Sequence, residues 1–214
     1  MAILIHQHTS SRPLNRDGRT LLTGASMARR LLSVVRVAGF IAILGYLCCS
    51  MNPPAMAQDL SGEYSLKAAF LYNFAKFTEW PTASFVDSRA PFVICALGHD
   101  SFGPNLDNLA GKMLRDRPLV TKRLLGDDNL IGCHLLYVSP GELKRAPHIL
   151  QTLQKAPVLT VCDTEGCAES GFMLNMRIVE NRVTLDLNLE VVAQTPLKLS
   201  SQLIKLTRIV KGQP

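Results

Sequence analysis

The chain has 214 residues, a formal net charge of +6 and 47% hydrophobic side chains. Residues 1–57 hold six Arg and one Asp, which leaves 17 basic against 16 acidic side chains beyond them. That near balance removes the basic surface on which nucleic-acid binding depends, and the remaining length suits one domain with a real core.

At the N-terminus, Arg29, Arg30 and Arg36 precede an apolar run, Val37–Cys49, and Ala55-Met56-Ala57 supplies a small-x-small cleavage pattern. Together they predict a secretion signal over residues 27–57. Its thirteen apolar residues are too few to cross about 30 Å of hydrocarbon, so a permanent membrane helix is not expected. Bulky Tyr46 and Leu47 before Cys48 argue against a lipoprotein site. Residues 1–26 are polar and patternless, as expected of an overextended start ahead of an initiator at Met27. The mature part, 58–214, is expected to be a single α/β domain, since no linker, repeat or low-complexity tract divides it.

Ser61-Gly62-Glu63 opens a helix, with Ser61 as cap and Glu63 in the first turn, and Pro81 stops it. At 100° per residue Leu66, Phe70, Asn73, Phe74, Phe77 and Trp80 share one side, the expected core stripe. Ala68, Tyr72, Ala75 and Glu79 fall on the other. There the small side chains of Ala68 and Ala75 around Tyr72 make a candidate partner surface. Phe92–Leu97 is an unbroken apolar run, as for a strand buried on both faces. Leu106, Leu109 and Ala110 suggest a short helix ended by Gly111. Pro118–Leu124 reads as a second, more polar strand, and Leu135–Val138 as a third, buried one. Ser139-Pro140-Gly141-Glu142 caps a helix reaching about Lys155, able to break at Pro147, and Val158–Val161 makes a fourth strand.

From Phe172 the period changes to two. Leu174, Met176 and Ile178 alternate with Asn175, Arg177 and Val179, and Val183, Leu185 and Leu187 with Thr184, Asp186 and Asn188. Around Glu180-Asn181 this is a β-hairpin with a two-residue loop. Arg177 and Asp186 form a diagonal cross-strand pair, read as a surface salt bridge. Asn188 caps a short helix that Pro196 interrupts. Leu199, Leu203, Leu206 and Val210 then predict a final amphipathic helix, with Lys205, Arg208 and Lys211 toward its C-terminal end. Strand and helix alternate ahead of the hairpin, which gives the expected fold: an α/β three-layer sandwich, its sheet mostly parallel with a C-terminal antiparallel β-hairpin.

Four cysteines remain beyond the signal: Cys95, Cys133, Cys162 and Cys167. An even number in an exported chain suggests disulfides, with three connectivities open. Cys162 and Cys167 bracket a turn-forming Asp-Thr-Glu-Gly, so a local bond is easily closed, and its loop is expected to be exposed. Cys95 and Cys133 each flank a strand-like run, so a bond between them would tie two strands and add about 4 kcal/mol in the chain-entropy model. A zinc site from these thiols and His134 lacks the paired spacing of a zinc ribbon, and there is no C-x-x-C.

His99, His134 and His148 stand in no pattern with a nucleophile, and G-x-S-x-G, H-E-x-x-H and G-x-G-x-x-G are absent. Residues 103–112 lack the spacing of a phosphate loop, and Met113 stands where Ser or Thr is needed. No catalytic residue, cofactor or metal is assigned. One candidate ligand site follows from topology, because open α/β sheets collect ligands beyond the carboxyl ends of parallel strands. Gly98, His99 and Asp100 follow the first strand and Ser139 follows the third, just ahead of a helix start whose free N–H groups favour anions. The plainer alternative makes His99 and Asp100 exposed loop polars and Ser139 a cap.

The segment Phe70-Leu71-Tyr72-Asn73-Phe74-Ala75-Lys76-Phe77-Thr78-Glu79-Trp80-Pro81 resembles the opening signature of the YfiR family. The resemblance continues through Val93–Gly98, Leu109–Lys112, Arg117–Val120, Gly132–Leu136, Val158–Val161 and Leu197–Leu203, nearly the whole mature chain. It implies a periplasmic α/β protein, usually a homodimer, that restrains an inner-membrane diguanylate cyclase through the cyclase's periplasmic sensor region. It also implies the pairs Cys95–Cys133 and Cys162–Cys167, and no catalytic motif. The leading expectation is thus a non-enzymatic regulator that lowers cyclic di-GMP signalling and biofilm growth, open to modulation by disulfide reduction. The alternatives are a periplasmic binding protein for an anionic or nucleotide-like small molecule and, less supported, a His-dependent exported hydrolase.

Overall fold

The computed structural model describes residues 55–179 and 182–212. The expected leader over 27–57 lies outside them except for its last three residues, which begin the first helix. Residues 54–214 form one compact unit.

Helix α1 (Ala55–Lys76) leads into a two-residue strand β1 (Thr78–Glu79). Then come β2 (Phe92–Leu97), a short α2 (Pro104–Asp107), β3 (Met113–Leu114), β4 (Arg117–Leu124) and β5 (Leu135–Val138). A 3-10 turn (Pro140–Arg145) runs into α3 (Ala146–Thr152), followed by β6 (Leu159–Cys162) and the hairpin β7 (Leu174–Val179) and β8 (Arg182–Asn188). The chain closes with α4 (Leu189–Ala193), β9 (Lys198–Leu199), α5 (Ser201–Lys205) and β10 (Arg208–Val210). One eight-stranded sheet has the order β10-β8-β7-β6-β5-β2-β4-β3, parallel except for β3/β4 and β7/β8; β1 and β9 form a separate antiparallel pair.

The central strands β2, β5 and β6 are buried along their whole length, because side chains on each strand feed two different cores. Ile94, Leu135, Tyr137 and Val161 pack toward Leu71 and Phe74 of α1. Cys95, Leu97, Leu136 and Val138 pack toward Ile149 and Leu153 on the α3 side. Helix, sheet and helix thus make the three layers expected, and the unbroken apolar runs of Phe92–Leu97 and Leu135–Val138 are the trace of burial on both faces.

Four local expectations are corrected. α1 stops at Lys76 rather than at Pro81, and Trp80 lies beyond it, because Thr78 and Glu79 pair with Leu199 and Lys198. The final segment is not one amphipathic helix: Leu206 is 68% exposed, and Arg208–Val210 instead adds a parallel strand to the free edge of β8, where β-branched Ile209 and Val210 suit a strand. Ser139 precedes a 3-10 turn and gives it no side-chain cap; its backbone carbonyl accepts the Glu142 N–H instead. Ser61 does not cap the first helix, because α1 already begins six residues earlier, at Ala55; Asn188 caps as expected, its Oδ1 accepting from Val191 N–H, and Ser200 Oγ accepts from Leu203 N–H.

Candidate functional site

Cys95 and Cys133 are bonded, with Cα atoms 5.9 Å apart, and fasten β2 to the residue before His134 and β5. Cys162 and Cys167 are bonded across 6.5 Å between Cα atoms and close the turn after β6. The turn shows Glu165 and Gly166 to solvent, yet both its sulfurs are buried, contrary to an exposed staple.

The topological switch lies at β2, whose neighbours β4 and β5 receive the chain on opposite sides. Gly98 and Ser139 do meet there. Gly98 has φ +93°, and a Cβ on it would collide with Ser139 Oγ and stand 2.6 Å from Glu142 Cγ, so only glycine fits. Ser139 is buried and its Oγ has no hydrogen-bond partner. Glu142 fills the crevice, held by Arg145 at 3.0 Å, which also reaches Asp127 at 2.6 Å and the Gly126 carbonyl at 2.8 Å. Asp100 is spent locally: Oδ1 accepts from the Phe102 and Gly103 N–H groups, and Oδ2 pairs with Arg123, which also grips Asp107. His99 is exposed. Of the four predicted ligand residues, only Gly98 and Ser139 are thus brought together, in a crevice filled by Glu142, whereas His99 and Asp100 are close to the plainer reading of loop polars.

The helix α1 is rotated from its expected setting. Ala68 and Ala75, 3% and 1% exposed, pack on the sheet beside Leu71 and Phe74, while Tyr72 is half-buried and donates to the Met113 carbonyl at 2.9 Å. The surface foreseen for a partner at Ala68, Tyr72 and Ala75 is therefore an internal one. Small side chains let α1 approach its own sheet closely. The outward side carries Leu66, 42% exposed, and Asn73, with Phe70 and Phe77 half-buried.

Sequence reading missed the polar group under α1. Lys67 is buried, with Nζ 2.6 Å from Asp163 Oδ2, paired to Glu63 and 4.6 Å from the Tyr64 ring centroid. Burial alone would lower its pKa, but the hydrogen bonds it donates to Asp163 and Glu63 outweigh that and raise it. Asp163 follows the bonded Cys162 directly, so one ion pair ties α1 to the disulfide turn. Tyr137 is buried beneath it, and desolvation followed by the Asp163 charge drives its phenol pKa far upward. On the hairpin, Asp186 is 1% exposed, 2.9 Å from Arg208 Nε and 3.6 Å from Arg177 Nη2, so the diagonal pair is formed but its acid is not at the surface.

The opposite end of the sheet holds the open spaces. Trp80 Nε1 donates to the His134 and Pro157 carbonyls at 3.2 and 2.9 Å, and its ring meets Phe92 edge-on. A cavity of about 180 Å³ lies among Ala75, Trp80, Phe85, Phe92, Arg115 and Arg117. A second, of about 470 Å³, is lined mainly by apolar groups including Phe85, Val93, Ile131, Cys133 and Val158. Among the described residues no helix is long and apolar enough to cross a membrane.

These features define a doubly cored α/β domain fastened by two disulfides, with its strand-end crevice filled from within. The chain belongs to the YfiR/HmsC-like family, whose model matches residues 64–208. No curated protein matches it.

Proposed function

We propose that the protein is a periplasmic, non-enzymatic regulator that binds the periplasmic sensor region of an inner-membrane diguanylate cyclase and represses it, lowering cyclic di-GMP. In this reading it is exported through the leader over 27–57, cleaved near Ala57, and acts as a homodimer. The observation that carries the reading is family membership across 64–208, and two bonded cysteine pairs suit an oxidising compartment. With Ala68 and Ala75 turned inward, the outward stripe of α1 around Leu66 and Phe70 is the apolar surface offered to the cyclase. Reduction of Cys162–Cys167 would loosen Asp163 and, through Lys67, the seat of α1. Deleting the gene should raise cyclic di-GMP, and the wild-type chain should restore it; a pool unchanged by deletion would refute the regulator.

A second reading, a binding protein for a small anionic or nucleotide-like ligand, is favoured by the aromatic cavity at Trp80, Phe85 and Phe92 with its two guanidinium groups. A thermal-shift screen separates the two, since only this reading requires a ligand that raises Tm by several degrees.

A further inference from the structure

Between β1 and β2 the chain forms a strap over residues 81–91 that walls both cavities through Phe85. Its internal bonds are local: Ser84 N–H to Pro81 O, Phe85 N–H to Thr82 O, and Arg89 N–H to Asp87 Oδ1. Two side chains from the sheet fasten it. Arg117 at the start of β4 donates to the Asp87 and Ala90 carbonyls at 2.9 and 2.7 Å and lies 3.8 Å above the Phe85 ring. His134, just before β5, stacks on Phe85 at 4.5 Å and on Phe92 at 4.9 Å. Its Nδ1 accepts the Val93 N–H at 3.0 Å, which puts the ring proton on Nε2, and Nε2–H donates to the Ser84 carbonyl at 3.1 Å.

We propose that this strap is an acid-released lid, in which protonation of His134 unfastens residues 82–90 and opens the apolar cavity beneath. A neutral imidazole can satisfy one donor and one acceptor at once; the protonated ring has a donor at both nitrogens. Nδ1–H would then face the Val93 N–H, and the ring must move. Its backbone cannot follow. Trp80 holds the His134 carbonyl, and the Cys95–Cys133 bond pins the preceding residue to β2. The displacement is therefore passed to the strap, whose Val86 side chain is already 98% exposed.

Among the charged groups around the ring, Arg117 acts in the same direction. Arg117 faces it from β4, Arg115 and Asp116 line the smaller cavity at the turn before β4, and Asp87 and Arg89 on the strap are exposed. β2 and the segment just before β6 contribute Phe92, Val93, Pro157 and Val158, which do not titrate. Desolvation, chiefly, and the Arg117 charge lower the imidazole pKa, outweighing the Ser84 carbonyl that favours the cation. The closed state thus binds the proton less readily than the open one, and acid below about pH 6.5, the ordinary imidazole value, favours opening.

The experiment is amide hydrogen exchange on the purified protein between pH 7.5 and 5, corrected for intrinsic rates, with fluorescence of Trp80, the only tryptophan in the chain. Protection of Phe85, Ala90 and Val93 should fall by up to about 30-fold, the limit for a histidine that stays neutral in the closed state. Leu136 and Val161 in the central strands should keep theirs. His134→Gln, which retains an acceptor and a donor but does not titrate, should make strap protection independent of pH. If that variant does not fold, NMR titration of the His134 ring in the wild-type protein decides. Protonation at or above the ordinary value, a strap unaffected by pH, or a sheet that opens in parallel with it would overturn the proposal.

Discussion

The two disulfides offer a prediction whose magnitude follows from topology. Cys95–Cys133 spans a sequence separation of 38 and Cys162–Cys167 one of 5. In the chain-entropy model the first restrains the unfolded chain by about 4 kcal/mol and the second by about 2 kcal/mol. Both pairs are buried, so paired Ala substitutions leave comparable packing losses, and the difference of about 2 kcal/mol comes from loop length. With a urea m-value of roughly 2 kcal/mol/M, Cys95→Ala/Cys133→Ala should lower the midpoint by about 2 M and Cys162→Ala/Cys167→Ala by about 1 M. Against a total stability of 5–15 kcal/mol for a domain, only the first loss threatens folding in the cell. Equilibrium urea unfolding of the oxidised protein, followed by Trp80 fluorescence, measures both. Equal midpoint losses, or a larger one for the short loop, would refute the topological reasoning. In the native host Cys95→Ser or Cys133→Ser should reduce protein level and raise cyclic di-GMP, and unchanged levels of both would count against the proposed regulator.

Lys67→Met should destabilise the fold by roughly 3–5 kcal/mol, because it leaves Asp163 buried and unpaired; adding Asp163→Leu should recover part of that in a double-mutant cycle. The raised pKa of Lys67 means that its contribution is complete below about pH 10.5 and fades as pH rises through the folded value. Alkaline unfolding should therefore begin earlier in the wild type, relative to its neutral stability, than in Lys67→Met. Gly98→Ala should cost more than about 1 kcal/mol, since it combines a left-handed φ with a collision at Ser139; thermal denaturation showing no loss would mean that the crevice is not closed as described.

How far the sequence reaches can be seen element by element. Phe92–Leu97 and Leu135–Val138 were legible to the residue, because burial on both faces leaves no polar position to blur their ends. The hairpin was legible in its register, Asn175 opposite Asp186 and Arg177 opposite Thr184, because period-two alternation survives on both strands. The rotation of α1 was not. Large aromatic side chains there reach the core edge obliquely, while alanines take the closest contact, so hydrophobic size misidentified the inner face. The last segment misled for a related reason: leucines at helical spacing are equally consistent with a short helix followed by an edge strand, and only the vacancy beside β8 decides. The candidate site fared likewise. Topology brought Gly98 and Ser139 together as expected, but nothing in the sequence marked Glu142 as the side chain that fills the space, nor Lys67 as a buried cation, since both lie in otherwise ordinary surface patterns.

The proposed function turns on a physical contact with a cyclase. Cross-linking in the native host, followed by mass spectrometry of the partners captured through a photoreactive residue at Leu66, measures that contact directly. The expected result is an inner-membrane diguanylate cyclase linked through its periplasmic region, together with a cyclic di-GMP pool that rises when the gene is deleted. A protein that reaches the periplasm with both disulfides formed, yet links to no cyclase and leaves cyclic di-GMP unchanged on deletion, would contradict it.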